Sequence, residues 1–162
     1  MIDVSLPDEA ATSSLAGVLA SHAPPQAVVH LHGDLGAGKS TLARAWLRAL
    51  GVTGTVRSPT YTLVERYPLA TGGEALHLDL YRIGDAGELE FLGLDEPEAV
   101  LWLIEWPERG AGALPPADLH VRLGMAGAGR RATLIPASAA GTAWLARLGD
   151  DAELQPIPEP NP

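Results

Sequence analysis

The chain has 162 residues, 46% of them hydrophobic, with 20 acidic side chains against 11 basic ones and a formal net charge of −9. This length fills one α/β domain and falls short of two, and the absence of cysteine excludes disulfides and thiolate metal sites and fits a reducing, cytoplasmic setting. The acidic balance opposes autonomous tight binding to a phosphate backbone, so a nucleic acid must be reached through another protein; no basic region leads into an apolar run and no stretch approaches ~18 uninterrupted apolar residues, which predicts neither export nor membrane insertion.

In chain order, residues 1–6 read as a short strand and residues 7–21 as a helix with Leu15, Val18 and Leu19 inward, ended by Pro24-Pro25. Residues 27–32 read as a buried strand in which His30 and His32 are expected to be satisfied sheet residues. The chain then enters Gly33-Asp34-Leu35-Gly36-Ala37-Gly38-Lys39-Ser40, a complete match to the phosphate-binding loop G-x-x-x-x-G-K-[ST]. Lys39 is the only lysine; the ten other cations are arginines. A compact ammonium on a flexible stem can follow the β- and γ-phosphates where a planar guanidinium would not fit the curled loop. Gly33, Gly36 and Gly38 free the backbone to turn N–H groups inward, and the positive end of the next helix reinforces that anion nest. Ser40 offers a hydroxyl to magnesium.

Residues 40–50 are predicted as that helix, with Leu42, Ala43, Trp46, Leu47 and Leu50 as its apolar stripe and Gly51 as the C′ residue. A Gly- and Pro-punctuated connection over 53–59 leads into residues 60–67, whose β-branched and aromatic content predicts a strand. Thr71-Gly72-Gly73 turns the chain into residues 75–82, which alternate Leu76, Leu78 and Leu80 with His77, Asp79 and Tyr81; the two strands are expected to form an antiparallel hairpin. Residues 84–97 are acidic and predicted to be helical in short pieces, anchored by Leu89, Phe91, Leu92 and Leu94.

Val100-Leu101-Trp102-Leu103-Ile104 is a continuous apolar run of the kind that fills a strand buried on both faces, and it ends in Glu105. Ligands of open α/β sheets bind at the carboxyl ends of the strands, where the phosphate loop also emerges. A carboxylate there is the usual companion of such a loop, holding magnesium and orienting water. Asp79 is a second candidate carboxylate, against the alternative of a paired acid on a solvated face. Trp106 either stacks on a base or covers the site, against the alternative of packing in the core. Residues 118–123 and 130–135 read as a second hairpin around 124–129, residues 141–148 as a short helix, and residues 150–162 as a Pro-rich acidic tail without order.

The strings 33–41, Ser58-Pro59-Thr60-Tyr61-Thr62-Leu63-Val64, His77-Leu78-Asp79-Leu80-Tyr81-Arg82, Glu88-Leu89-Glu90 and Glu105-Trp106-Pro107-Glu108, in this order and spacing, closely resemble the TsaE family over about residues 6–148. The resemblance implies a single α/β P-loop NTPase domain, residues 1–149, with a mixed parallel/antiparallel central sheet flanked by helices. It also implies a Mg2+-dependent ATPase that supports the TsaB and TsaD proteins in repeated formation of N6-threonylcarbamoyladenosine on tRNA, with tRNA met only through the complex.

Carried over by residue, the resemblance gives Lys39 the charge on the transferring phosphoryl, Ser40 the magnesium, and Glu105 the metal or water site. Thr60 falls in a switch segment, Asp79 in the second carboxylate site, Trp106 beside the acid and Thr41 near the α-phosphate. Asp34, Leu35, Gly36, Ala37 and Gly38 form the cradle, Arg130 approaches the nucleotide, and residues 8–12 lie near the base. The N-K-x-D element that reads guanine is missing, since the only Asn is Asn161, which favours adenine. A nucleotide-dependent interaction switch with negligible hydrolysis and a small-molecule kinase on the same loop are the rival readings; the kinase needs an arginine-rich lid, for which the chain offers only Arg130-Arg131.

Overall fold

A computed structural model describes residues 1–94 and 99–154; the end of the acidic segment and the last eight residues of the tail lie outside the described residues. The strands are β1 (Ile2–Leu6), β2 (Ala27–His32), β3 (Val64–Pro68), β4 (Glu74–Asp79), β5 (Ala99–Glu105), β6 (Leu119–Ala126) and β7 (Gly129–Pro136). The helices are α1 (Glu9–His22), α2 (Lys39–Ala49) and α3 (Ala139–Gly149). All seven strands join one sheet in the order β1-β7-β6-β2-β5-β4-β3. Strand β2 runs parallel to β5 and β6, and β4 parallel to β5, while β1 with β7, β6 with β7, and β3 with β4 pair antiparallel. This is the mixed sheet of a P-loop NTPase domain.

Alternation along the strands divides the core in two. Val29, Leu31, Leu101, Leu103, Leu119 and Val121 face the helices and bury Leu15 and Leu19 of α1, Leu42, Trp46 and Leu47 of α2, and Trp144 of α3. Leu76, Leu78 and Ile104 point to the other face, where Ile83 and Leu89 cover them. Each such aliphatic side chain contributes about 1.5–3 kcal/mol when fully withdrawn from water. Local signals set the helix ends: Asp8 accepts from the Ala11 N–H at 2.9 Å, Ser138 accepts from the Gly141 N–H at 2.9 Å, and Gly51 adopts φ 88 just past α2. These side-chain acceptors and the left-handed glycine satisfy groups that a helix terminus leaves without partners.

Four expectations need correction. Residues 60–63 are a turn, and β3 starts only at Val64: the Leu63 N–H donates to the Pro59 carbonyl at 2.8 Å and the Asp79 N–H to the Leu63 carbonyl at 3.0 Å. These bonds hold Leu63 at φ 68, which overrides the β propensity of Thr60-Tyr61-Thr62. Phe91 is no anchor; it is 88% exposed. The 3-10 turn Ala86–Leu92 repeats every three residues, so Leu89 and Leu92 share a face that Phe91 does not. The second hairpin needs only Gly127 and Ala128 between β6 and β7, with Gly127 at φ 59. The segment after α3 is packed as far as Leu154, which is 6% exposed and joins the helix-side core.

Candidate nucleotide site

The parallel strands deliver three chain ends to one place. Leu31 of β2 pairs with Glu105 of β5, and Glu105 with Asp79 of β4, so the phosphate loop leaves β2 beside two carboxylates. Both acids are buried, Glu105 at 2% and Asp79 at 6% exposure. The solvated-face alternative for Asp79 is therefore excluded: its strand is covered on both sides.

Within the loop, Gly33, Gly36 and Gly38 have φ of 151, 81 and 108. For Gly36 and Gly38 the requirement is purely conformational, since a Cβ would meet nothing. At Gly33 it is also steric, because a Cβ would lie 2.6 Å from the Leu123 carbonyl oxygen. Lys39 folds back to donate to the carbonyls of Gly33 and Asp34, and its Nζ stands 4.3 Å from the centroid of the Trp106 ring. Burial lowers the Lys39 pKa, opposed by the charges of Glu105 and Asp79. The ammonium sits in a loop built for anions and is held there by carbonyl oxygens, a ring face and nearby carboxylates.

Ser40 Oγ donates to Glu105, 3.0 Å from Oε1 and 3.1 Å from Oε2. His77 donates from Nε2 to Glu105 Oε2 at 2.6 Å. The Tyr81 N–H donates to Asp79 Oδ1 at 3.0 Å, and burial raises the Asp79 pKa in spite of that bond. Ser40, Asp79 and Glu105 thus present hard oxygen donors side by side, the donor chemistry of magnesium.

Two cavities flank the loop. One of about 250 Å³ is lined by Leu35, Gly36, Gly38, Lys39, Ser40, Thr41, Thr60, Asp79, Tyr81, Glu105 and Trp106. The other, about 260 Å³, is lined on the far side by Leu6, Pro7, Asp8, Glu9, Thr12, Ala37, Leu123 and Arg130, and shares Gly36, Gly38 and Thr41 with the first. Arg130 crosses to the loop itself, donating from Nη2 to the Gly36 carbonyl at 3.1 Å. A ligand straddling Gly36 to Thr41 reaches both spaces, one rich in charge and one with apolar walls.

The candidate residues therefore divide. Leu35, Gly36, Gly38, Lys39, Ser40, Thr41, Thr60, Asp79, Glu105 and Trp106 come together at the first cavity, and Ala37 and Arg130 at the second. Asp34 lines neither; it borders a separate recess with His32, Trp106 and Glu108 and contributes its carbonyl to Lys39. Two participants were not singled out from the sequence. His77 shares the face of Asp79 by alternation, but its bond to Glu105 depends on the register of β4 against β5, and Tyr81, whose ring centroid lies 4.9 Å from that of Trp106, continues the same alternation past the end of β4.

The comparison with known proteins decides the family. Residues 6–133 match the model of the family described as threonylcarbamoyl adenosine biosynthesis protein TsaE. The chain belongs to the TsaE family. It is 48% identical over 108 residues to a tRNA threonylcarbamoyladenosine biosynthesis protein TsaE of Haemophilus influenzae, covering 65% of this chain and 68% of that one. The protein of the same name from Bacillus subtilis is 37% identical over 123 residues, covering 72% and 73%. Among solved structures, Bacillus subtilis YdiB superposes with a TM-score of 0.75 at 27% identity, covering 92% of this chain and 96% of that one. Family membership gives the chain a TsaE role in the biosynthesis of threonylcarbamoyladenosine in tRNA. Among the described residues no helix is long and apolar enough to cross a membrane.

Proposed function

We propose that this protein binds ATP with Mg2+ and hydrolyses it slowly, and that hydrolysis lets TsaB and TsaD carry out repeated rounds of threonylcarbamoyl transfer to tRNA. The observation that carries the reading is the convergence of Lys39, Ser40, Asp79 and Glu105 on one cavity at the mouth of a phosphate loop. The oxygen donors of Ser40, Asp79 and Glu105 fit Mg2+, which when bound supplies charge neutralisation at the phosphates. Lys39 exchanges the Gly33 and Asp34 carbonyls for phosphate oxygens. Glu105, fixed from one side by His77 and released by Ser40, accepts a hydrogen bond from the attacking water and orients it. Thr60, which lines the cavity from a turn rather than a strand, senses the γ-phosphate in this reading.

The cavity shared by residues 6–12 and Arg130 suits a nucleoside, and the absence of a guanine-reading element favours adenine. Adjacent Arg130 and Arg131 diverge on β7, one to the Gly36 carbonyl and the other to Asp3 Oδ2 at 2.7 Å, which disfavours a kinase lid. The acidic net charge of −9 favours contact with tRNA through TsaB and TsaD.

The test is multiple-turnover tRNA threonylcarbamoylation by TsaB and TsaD alone, with this protein, and with its Glu105→Ala variant, measured beside ATP hydrolysis. The expected result is sustained turnover with the wild type and none with a variant that still binds ATP. Equal support by both proteins would transfer the role to nucleotide occupancy, and no support by either would remove TsaB and TsaD as partners.

A further inference from the structure

Three histidines cluster on the sheet face opposite the helices. His30 and His32 lie two residues apart on β2, and His120 is the register partner of His30 on β6. Their neighbours Val29, Leu31, Leu119 and Val121 all point into the helix-side core, so strand alternation sends the three rings to one face together. One nitrogen from each ring lies within 4.8 Å of the others. The expectation of satisfied sheet residues fails for His30, whose Nε2 is buried and makes no hydrogen bond among the described residues. The backbone of Pro115 acts on the His30 ring, opposing the larger effect of burial on its pKa. His32 Nε2 and His120 Nδ1 are 2.8 Å apart, one donating to the other.

Apolar rings would fill this space without withdrawing nitrogen atoms from water, an expense imidazole incurs unless the nitrogens have a partner. We infer that His30, His32 and His120 form a tri-histidine site for a divalent transition-metal ion of the zinc class. Imidazole is a preferred ligand of such ions, and three rings from two neighbouring strands supply three of the four positions of a tetrahedral site. Zinc–imidazole bonds of about 2.0–2.1 Å set neighbouring nitrogens about 3.3 Å apart in a tetrahedral site. His32 and His120 need to open slightly and His30 to close in; the proton they share moves to the outer nitrogen of the ring that holds it.

Burial, the largest cause, lowers the pKa of all three rings, that of His32 to about 4. His32 also borders the recess it shares with Asp34 and Glu108, and the Glu108 carboxylate is close enough to act on His32. The site is separate from the oxygen donors of Ser40, Asp79 and Glu105, which lie on the helix side.

The experiment titrates Zn2+ into tag-free, metal-stripped protein by calorimetry in excess Mg2+, for wild type, His30→Phe, His120→Phe and Glu105→Gln. The expected result is one tight equivalent for wild type and Glu105→Gln, weakened at least about 100-fold in each histidine variant, with ATP binding reporting that the variants fold. A parallel measurement needs no variant: ring-nitrogen NMR of the wild type should move three of the five histidines on Zn2+ addition. Zinc lost through Glu105→Gln instead, equal affinity in the histidine variants, or unmoved His30, His32 and His120 signals would each overturn the site.

Discussion

His77 Nε2 and Glu105 Oε2 stand 2.6 Å apart, with side chains 0% and 3% exposed, under the hydroxyl of Ser40. A carboxylate this deep is tolerable only because it has partners, and in the proposed mechanism His77 is the one that stays while Ser40 turns to the metal. His77→Leu therefore strips a buried charge of its fixed partner and should destabilise the protein by about 3–5 kcal/mol. It should also lower the hydrolysis rate more than ATP affinity. Urea unfolding and single-turnover hydrolysis measure the two effects; unchanged stability would show that Ser40 alone suffices for Glu105.

Lys39→Arg keeps the charge but not the shape. Lys39 is 5% exposed between loop carbonyls and the Trp106 ring, leaving no room for a planar fork. ATP affinity should fall about 10- to 100-fold, the worth of a lost charge-assisted hydrogen bond. Calorimetry decides it, and a variant binding as well as wild type would mean that the loop opens more than its packing suggests.

Trp106 should report nucleotide binding. Its ring carries the Lys39 ammonium at 4.3 Å, and that cation must move to meet phosphates. ATP addition should change tryptophan fluorescence, and Trp106→Phe should abolish the change while ATP still binds. The other three tryptophans, Trp46, Trp102 and Trp144, are outside the two cavities; a signal that survives the substitution would place the change elsewhere.

Gly129→Ala tests the second cavity. A Cβ there would fall 2.7 Å from both the Leu6 carbonyl oxygen and Pro7 Cα, forcing β1 away from β7 at a cost of about 1–3 kcal/mol. Affinity for ATP should drop while affinity for inorganic triphosphate holds. Equal losses for both ligands would argue that the nucleoside does not occupy this space.

Asp3 supplies the pH-dependent staple of the same wall. Hydrogen bonds from Arg131, the larger cause, and from Thr133 lower its pKa below the usual 3.8. A depressed carboxylate pKa contributes stability that is complete above 3.8 and disappears as pH falls through the folded value. Asp3→Asn should thus be less stable than wild type at neutral pH, by no more than about 1 kcal/mol given solvent screening. The gap should close in acid; a constant gap in melting temperature across pH would assign it to packing.

The sequence was most legible where one residue type admits one use. Lys39 within its glycines and Glu105 at the end of an apolar strand pointed to a candidate site at the strand ends, where the register brings them together. The segment 60–63 misled because β-branched and aromatic residues speak for local preference, whereas Leu63 is set by hydrogen bonds to Pro59 and Asp79. The role of His77 and the grouping of His30 with His120 were hidden for a different reason. Both depend on strand register across many intervening residues, which alternation within one strand does not give.

Among the described residues strand β1 pairs only with β7, and this fixes an order of events during synthesis. Translation runs from the N-terminus, so the first strand to leave the ribosome is the last to find its neighbour. Every residue of the phosphate cradle, from Gly33 to Glu105, has been made before Arg130 exists. In the proposed reading, the residues assigned to the phosphates are all made before Arg130, assigned to the nucleoside cavity, exists.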